Sequence, residues 1–266
     1  MFQLENTISK NSVLTKHKVQ ALPELSFKGR EVESLLYDLH IHSCLSPCAD
    51  DDMTPATAVG LAKLAGAELV AITDHNSALN IPAAMAAAKA YGVKLLPGIE
   101  VNTEEEIHLL CYFPTVEATL RMGQLIYDAL PAFPYDPQVW GKQIVMDADD
   151  NELYCVEKLL TGAATINIYE AKRLCEELGG IAIPAHADKD SYSLLSVMGF
   201  CPDDLDFAAI ELAVPEGYDR LIERGLLPPE REILTSSDAH SMGVVGSKLR
   251  ELSRKSVLQK LIAKLD

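Results

Sequence analysis

Positive charge is scarce in this chain. Lys and Arg number 23 against 39 Asp and Glu, for a formal net charge of −16. Such a surface repels a polyanion, so long nucleic acid is not an expected partner. Long apolar runs are missing too: none approaches the roughly 20 residues of a membrane span. The opening Met-Phe-Gln-Leu-Glu-Asn lacks the charged start and apolar core of a signal peptide. A soluble cytoplasmic protein without a membrane partner is expected. The six cysteines, at 44, 48, 111, 155, 175 and 201, form no Cys-x-x-Cys pair, which argues for reduced thiols rather than a disulfide framework. No phosphate-binding loop or dinucleotide glycine fingerprint is present, so no nucleotide cofactor is implied. No Gly-x-Ser-x-Gly element offers a serine nucleophile. Histidine is also sparse, at seven residues, and the placement of those seven is informative.

Residues 1–34 are polar, mixed in charge and weakly periodic, and read as an N-terminal extension; His17 lies there and is given no role. From Leu35 to Asp266 the chain alternates short apolar runs with helical segments, the pattern of βαβ units. Strands are expected at Leu35–His40, Leu69–Thr73, Lys94–Ile99, His108–Phe113, Ile181–Pro184, Ala208–Val214 and Glu232–Thr235. Helices are expected after Thr54-Pro55, over Pro82–Ala90, Val116–Leu130, Tyr169–Leu178 and Arg220–Arg224, and over Ser256–Leu265. Thr54 serves as N-cap, Pro55 opens the first turn and Gly66 follows the end. Seven strands point to an irregular or open parallel barrel. The stretch 131–167 breaks the alternation. It opens with Pro131, Pro134 and Pro137, then offers a hairpin around an acidic turn at Asp147–Asn151, read as a solvated tip rather than a calcium site. It is an insertion whose prolines and Trp140 are placed to make a lid.

The remaining six histidines stand at the edges of the apolar runs, with acids close by. The motifs are Asp38-Leu39-His40-Ile41-His42, Thr73-Asp74-His75-Asn76, Pro97-Gly98-Ile99-Glu100, His108 before an apolar run, Ile183-Pro184-Ala185-His186, and Ser237-Asp238-Ala239-His240. Residues two apart on a strand point the same way, so His40 and His42 can reach one metal, and Asp238-x-His240 repeats that logic with an acid. Imidazole and carboxylate are the ligands that zinc, manganese and iron favour. Glu100 is a single acid among imidazoles, and a carboxylate can bridge two cations where a neutral imidazole cannot. Ligands spread over 200 residues meet only where several strand ends converge, as on the catalytic face of a barrel.

These motifs, in this order, resemble the PHP (polymerase and histidinol phosphatase) superfamily over roughly residues 37–250. The resemblance implies an α/β fold, a distorted (β/α)7 TIM-like barrel with the 131–167 hairpin inserted, holding two to three divalent ions of zinc, manganese or iron. It implies one metal position at His40, His42, Glu100 and Asp238. Glu100 bridges to a second, completed by His108 and His186. His75 and His240 belong to a third. The chain departs from the family pattern after Ser43, where Cys44 to Asp52 form a longer loop. Counting back from Thr54-Pro55 places Asp50 as the third ligand; counting forward from His42 lands nearer Cys48. Asp50 is the expected ligand, because the helix start is the rigid anchor and a hard carboxylate suits a metal that exchanges with phosphate oxygen.

Such a metal set permits phosphate ester hydrolysis by a hydroxide held between two metals. Glu100, His186 and Asp238 are the expected catalytic residues, with Lys189 a candidate for the substrate phosphate. The expected substrate is a small phosphorylated metabolite or nucleotide. The alternatives are an exonuclease-like phosphodiesterase on short oligonucleotides, a metal-binding regulatory protein without turnover, and metal-dependent C–N hydrolysis.

Overall fold

The computed structural model describes residues 34–133 and 135–265. The extension 1–34 therefore lies, but for Ser34, outside the described residues. In chain order the elements are β1 (Ser34–Ile41), α1 (Pro55–Ala65), β2 (Leu69–Ile72), α2 (Ile81–Tyr91), β3 (Lys94–Leu95), β4 (Gly98–Asn102) and β5 (His108–Tyr112). There follow α3 (Val116–Ala129), α4 (Pro137–Trp140), β6 (Ile144–Met146), β7 (Glu152–Cys155), α5 (Ile168–Glu177), β8 (Ile181–Pro184) and α6 (Leu194–Met198). Last come β9 (Ala209–Glu211), α7 (Tyr218–Glu223), β10 (Glu232–Leu234), β11 (Arg250–Ser253) and α8 (Gln259–Ile262).

The fold is mixed α/β. Its ladders fall into four separate sheets, ordered β11-β1-β2-β3, β4-β5-β8, β9-β10 and β6-β7. They do not close into a ring, so the expected barrel is not drawn by paired strands. Nor are all pairs parallel. β1, β2 and β3 pair parallel, as do β9 and β10, but β5 runs antiparallel to both β4 and β8. The expected strand Lys94–Ile99 is divided at Leu96-Pro97, since proline has no N–H to donate to a ladder. β11 was not legible as a strand; of its residues only Leu252 is buried, and it pairs antiparallel on the outer edge of β1. The C-terminal helix is shorter than expected.

What unites the sheets is their packing. One core cluster takes Tyr37 and Leu39 from β1, Leu69 and Ala71 from β2, Leu110 and Tyr112 from β5, Ile183 from β8, Ala209 from β9 and Leu234 from β10. Burying each large apolar side chain stabilises the fold by about 1.5–3 kcal/mol, so strands of three sheets are held on one shared core. Gly98 shows how tight this is: a Cβ there would lie 2.9 Å from Thr73 Cγ2 and 3.0 Å from Tyr112 Cδ1. α1 packs outside, started by Thr54, whose side chain accepts from Thr57 N–H, and stopped by Gly66 at φ 106°. The inserted hairpin forms β6 and β7, and the Asp147 carboxylate accepts from the N–H groups of Asp149 and Asn151, closing the turn on itself. Among the described residues no helix is long and apolar enough to cross a membrane.

Candidate metal centre

The site forms where strand ends converge. β1 carries His40 next to its end, and its register against β2 shifts between Asp38 and Ile41, just where the ligand pair begins. His75 follows β2, Glu100 lies within β4, His186 follows β8, and Asp238 and His240 follow β10. His108 is the first residue of β5. Because β5 runs against β4, its beginning lies at the same end as the other strands' tails. Two single bridges, Ile41 with Ala239 and His75 with Glu100, tie these ends together. His186 and Asp238 sit at φ 28° and 52°, a left-handed conformation unfavourable for side-chain-bearing residues, so surrounding contacts must hold both in place.

Glu100 is the hub. Its Oε1 lies 3.2 Å from His40 Nε2, 3.1 Å from His108 Nδ1 and 3.4 Å from His186 Nε2. Its Oε2 lies 3.2 Å from His42 Nε2 and 3.1 Å from His75 Nδ1. Asp238 Oδ1 approaches His40 Nε2 at 3.3 Å and His42 Nε2 at 3.4 Å. His240 stacks on His42, ring centroids 4.1 Å apart. Ligand atoms cluster in three groups: His40, His42 and Asp238; His75, Glu100 and His108; and His42, His75 and His240.

A second layer of groups aims the rings. Glu211, a buried acid at the end of β9, sits 2.9 Å from His40 Nδ1 and accepts the His186 backbone N–H at 2.9 Å. His40 and His186 hold its carboxyl below the usual range against the cost of burial. As a carboxylate it accepts, which puts a His40 proton on Nδ1 and turns Nε2 toward Glu100 and Asp238. Ser46 Oγ gives its single proton to Asp74 at 2.7 Å, so at 3.0 Å it accepts from His42 Nδ1. Asp74 also takes the Ser43 N–H and Oγ–H at 2.7 and 2.6 Å. Asp38 accepts from Ser237 and Gly246 N–H at 3.0 and 2.9 Å, fixing the loop that carries Asp238.

These contacts fit a cation. Both Glu100 oxygens are buried without a hydrogen-bond partner, as are Nδ1 of His75, His108 and His186. Buried oxygens and ring nitrogens without a hydrogen bond are costly, and a cation among them would satisfy both kinds of atom. The Nε2 atoms of His40 and His42 approach to 3.2 Å. Burial opposes charge on both rings, yet the acids around them, chiefly Glu100 and Glu211, drive His40 well above the usual imidazole range; Asp238 and Glu100 take His42 to about 9. Glu100 is held well below the carboxylate range, despite burial, by His108, His40 and His75. His240 is pushed down to about 4 by burial and by His42. A field that favours a proton at His40 and His42 favours a cation there too.

The structure thus brings together His40, His42, His75, Glu100, His108, His186, Asp238 and His240. Lys189 is there too, half-exposed and ion-paired with Asp238 Oδ2. Asp50 is elsewhere: it is exposed, its N–H donates to His240 O at 2.9 Å, and its carboxylate belongs to none of the three ligand groups. Cys48 lines the central cavity. Asp50→Ala is therefore expected to leave metal content unchanged by elemental analysis; loss of one equivalent would return Asp50 to the ligand set. Sequence reasoning missed Glu211 and Ser46. Ala-Ala-Ile-Glu211 repeats the apolar-then-acid pattern of Pro-Gly-Ile-Glu100 and offered a signal; Ser46 offered none.

The clustered side chains open into a cavity of about 680 Å³. Its outer wall is the insertion, through Pro131, Phe133, Trp140, Leu159 and Thr161 to Ala163. Buried amides bolt that wall on. Asn76 Nδ2 donates to Leu160 O and Gly162 O, Asn102 Nδ2 to Thr161 O, and Asn80 Nδ2 to Ile144 O, at 2.7–3.1 Å.

A family model for the PHP domain matches residues 38–194, more than half of the chain, and the chain belongs to that family. It is 36% identical over 77 residues to a 5'-3' exoribonuclease of Haemophilus influenzae, a match spanning 28% of this chain and 27% of that relative. In fold it is similar to the lesion-specific endonuclease PfuEndoQ of Pyrococcus furiosus, at TM-score 0.58 and 21% identity, over 87% of this chain and 55% of that one. It is equally similar to a candidate metal-dependent phosphoesterase of Bifidobacterium adolescentis, at TM-score 0.58 and 18% identity, over 86% of this chain and 96% of that one.

Proposed function

We propose that this chain is a metal-dependent hydrolase of phosphate esters, acting on a small phosphorylated metabolite or nucleotide. The observation that carries this is Glu100, a buried carboxylate with no hydrogen-bond donor, ringed by imidazoles. His40, His42, Glu100 and Asp238 would hold one cation, and Glu100, His108 and His186 a second, with His75 and His240 toward a third. Zinc, manganese and iron all suit this donor set. When bound, such ions polarise phosphate and lower the pKa of water.

The protein's own contribution is positional. Glu100 spans the ligand groups with its two oxygens. Glu211 and Ser46 fix the faces that His40 and His42 present. Lys189 is a cation beside Asp238 at the cavity, and its half-exposed pairing is weak enough to be exchanged for a phosphate oxygen. The single bridges at the strand ends support reading the three sheets outside the inserted hairpin as an opened (β/α)7 barrel. Six free thiols suit a reducing cytoplasm.

A second reading, an exonuclease-like activity on short oligonucleotides, is favoured by the likeness to the Haemophilus 5'-3' exoribonuclease. The net charge of −16 favours small anions. Purified protein assayed with phosphomonoesters, nucleoside bisphosphates and short oligonucleotides separates the two. Protein made without chelator is expected to carry two to three transition-metal ions per chain by elemental analysis. A preparation that holds none and cannot be reconstituted would sink the metal-centre reading.

A further inference from the structure

We propose that the mouth of the metal cavity is a stacking site for a planar ring, which makes the substrate the phosphate ester of a nucleoside. This rests on the phosphoesterase reading above and narrows its substrate class. Three aromatic side chains, Phe133, Trp140 and Tyr192, line the same cavity as Glu100, His108, His186 and Asp238. They are 58%, 52% and 46% exposed, in a chain with only 6% aromatic residues and a single tryptophan. Exposed rings gathered at one mouth mark a surface awaiting an apolar partner.

The rings stand on segments fixed outside the core. Phe133 and Trp140 belong to the insertion, in which the carbonyls of Ile144, Leu160, Thr161 and Gly162 accept from the buried amides of Asn80, Asn76 and Asn102. Tyr192 stands at φ 52°, a conformation a bulky residue adopts only when its surroundings impose it. Its carbonyl accepts the His108 N–H at 3.0 Å, and its ring stacks on His108, with centroids 4.9 Å apart and planes 23° from parallel. The strained turn thus sets a flat platform against a ligand of the metal centre. The cavity of about 680 Å³ is far larger than a phosphate and lies within the ordinary range for organic ligands.

Stacking on a π-face tolerates any base and rejects a substrate without one. The shared chemistry is a base one sugar away from the reacting phosphate, and it can come from a mononucleotide or from the end of an oligonucleotide. Trp140 is the only tryptophan, so its fluorescence reports this mouth alone.

The test titrates the full-length metal-loaded protein with adenosine 5'-monophosphate, the dinucleotide pApA, ribose 5-phosphate and inorganic phosphate. Hydrolysis of the same compounds is followed in parallel. Adenosine monophosphate or pApA is expected to quench Trp140 saturably, with a midpoint about ten-fold below that of ribose 5-phosphate. The lower of the two midpoints identifies the source. Trp140→Leu and Tyr192→Leu are each expected to cut the ratio of kcat/KM for adenosine monophosphate over ribose 5-phosphate about ten-fold. Equal response to ligands with and without a base, or hydrolysis of both without quenching, overturns the ring site while leaving a phosphoesterase. Base-dependent quenching without hydrolysis of any compound keeps the ring site and sinks the phosphoesterase reading.

Discussion

Glu100→Gln is expected to abolish phosphate ester hydrolysis, by about a thousandfold or more, while leaving a folded protein. The substitution keeps the shape of the side chain and removes its charge. Removing one preorganised charge-stabilising group from an active site commonly costs about 10²–10³ in rate. Here the group lost is the one that approaches His40, His42, His75, His108 and His186 at once. The folding consequence runs through the same rings. In the absence of metal the Glu100 carboxylate offsets the positive charge that burial opposes on His40 and His42, so a neutral amide leaves those buried rings short of a partner. The metal-free variant is therefore expected to melt below the metal-free wild type while still folding. Added zinc or manganese should raise the wild-type midpoint by mass action and leave the variant nearly unmoved. A variant that gains as much as the wild type would show that Glu100 does not bind metal.

The residues that cluster at the strand ends were legible because each breaks the pattern around it. A histidine at the edge of an apolar run, two residues from another histidine or an acid, gains nothing from packing there. The strands were legible as runs, and α1 was legible to its caps because Thr54, Pro55 and Gly66 act locally. Direction and pairing were not. Hydrophobicity carries no sign along a strand, so nothing in His108–Tyr112 announced that β5 runs against its neighbours. The break at Pro97 follows from a missing N–H and could have been read; β11 could not, because Arg250, Glu251 and Ser253 face solvent and only Leu252 is buried.

The loop from Ser43 to Met53 shows the limit of counting residues. Turns close it on itself: Ser46 N–H donates to Ser43 O, Ala49 N–H to Ser46 O, Met53 N–H to Asp50 O, and Cys44 N–H to Met53 O. Spacing from either flanking motif says nothing about which residue such a loop turns toward the centre. Cys48 reaches the cavity and Asp50 faces solvent. The insertion was legible as a hairpin, but its attachment depends on Asn76, Asn80 and Asn102 finding carbonyls more than 50 residues away, which no local pattern encodes.

Glu211→Ala is expected to weaken metal binding about 10–100-fold without unfolding the protein, the usual cost of losing a carboxylate behind a ligating imidazole. Two contacts disappear together. His40 Nδ1–H loses the acceptor that fixes its tautomer, and the His186 N–H loses the acceptor that anchors its left-handed turn. Each buried donor left unpaired costs about 1–3 kcal/mol, well within what a domain of this size tolerates. Glu211→Gln should fall between, because its amide oxygen can still accept while the negative charge that strengthens His40 as a ligand is gone. The distinguishing readout is rescue. If Glu211 positions His40, activity lost at limiting metal returns as zinc or manganese is raised, with the activation curve displaced and its plateau largely kept. Activity that stays low at saturating metal in a folded variant would mean that Glu211 touches the reaction itself. An unshifted activation curve would remove it from the metal centre.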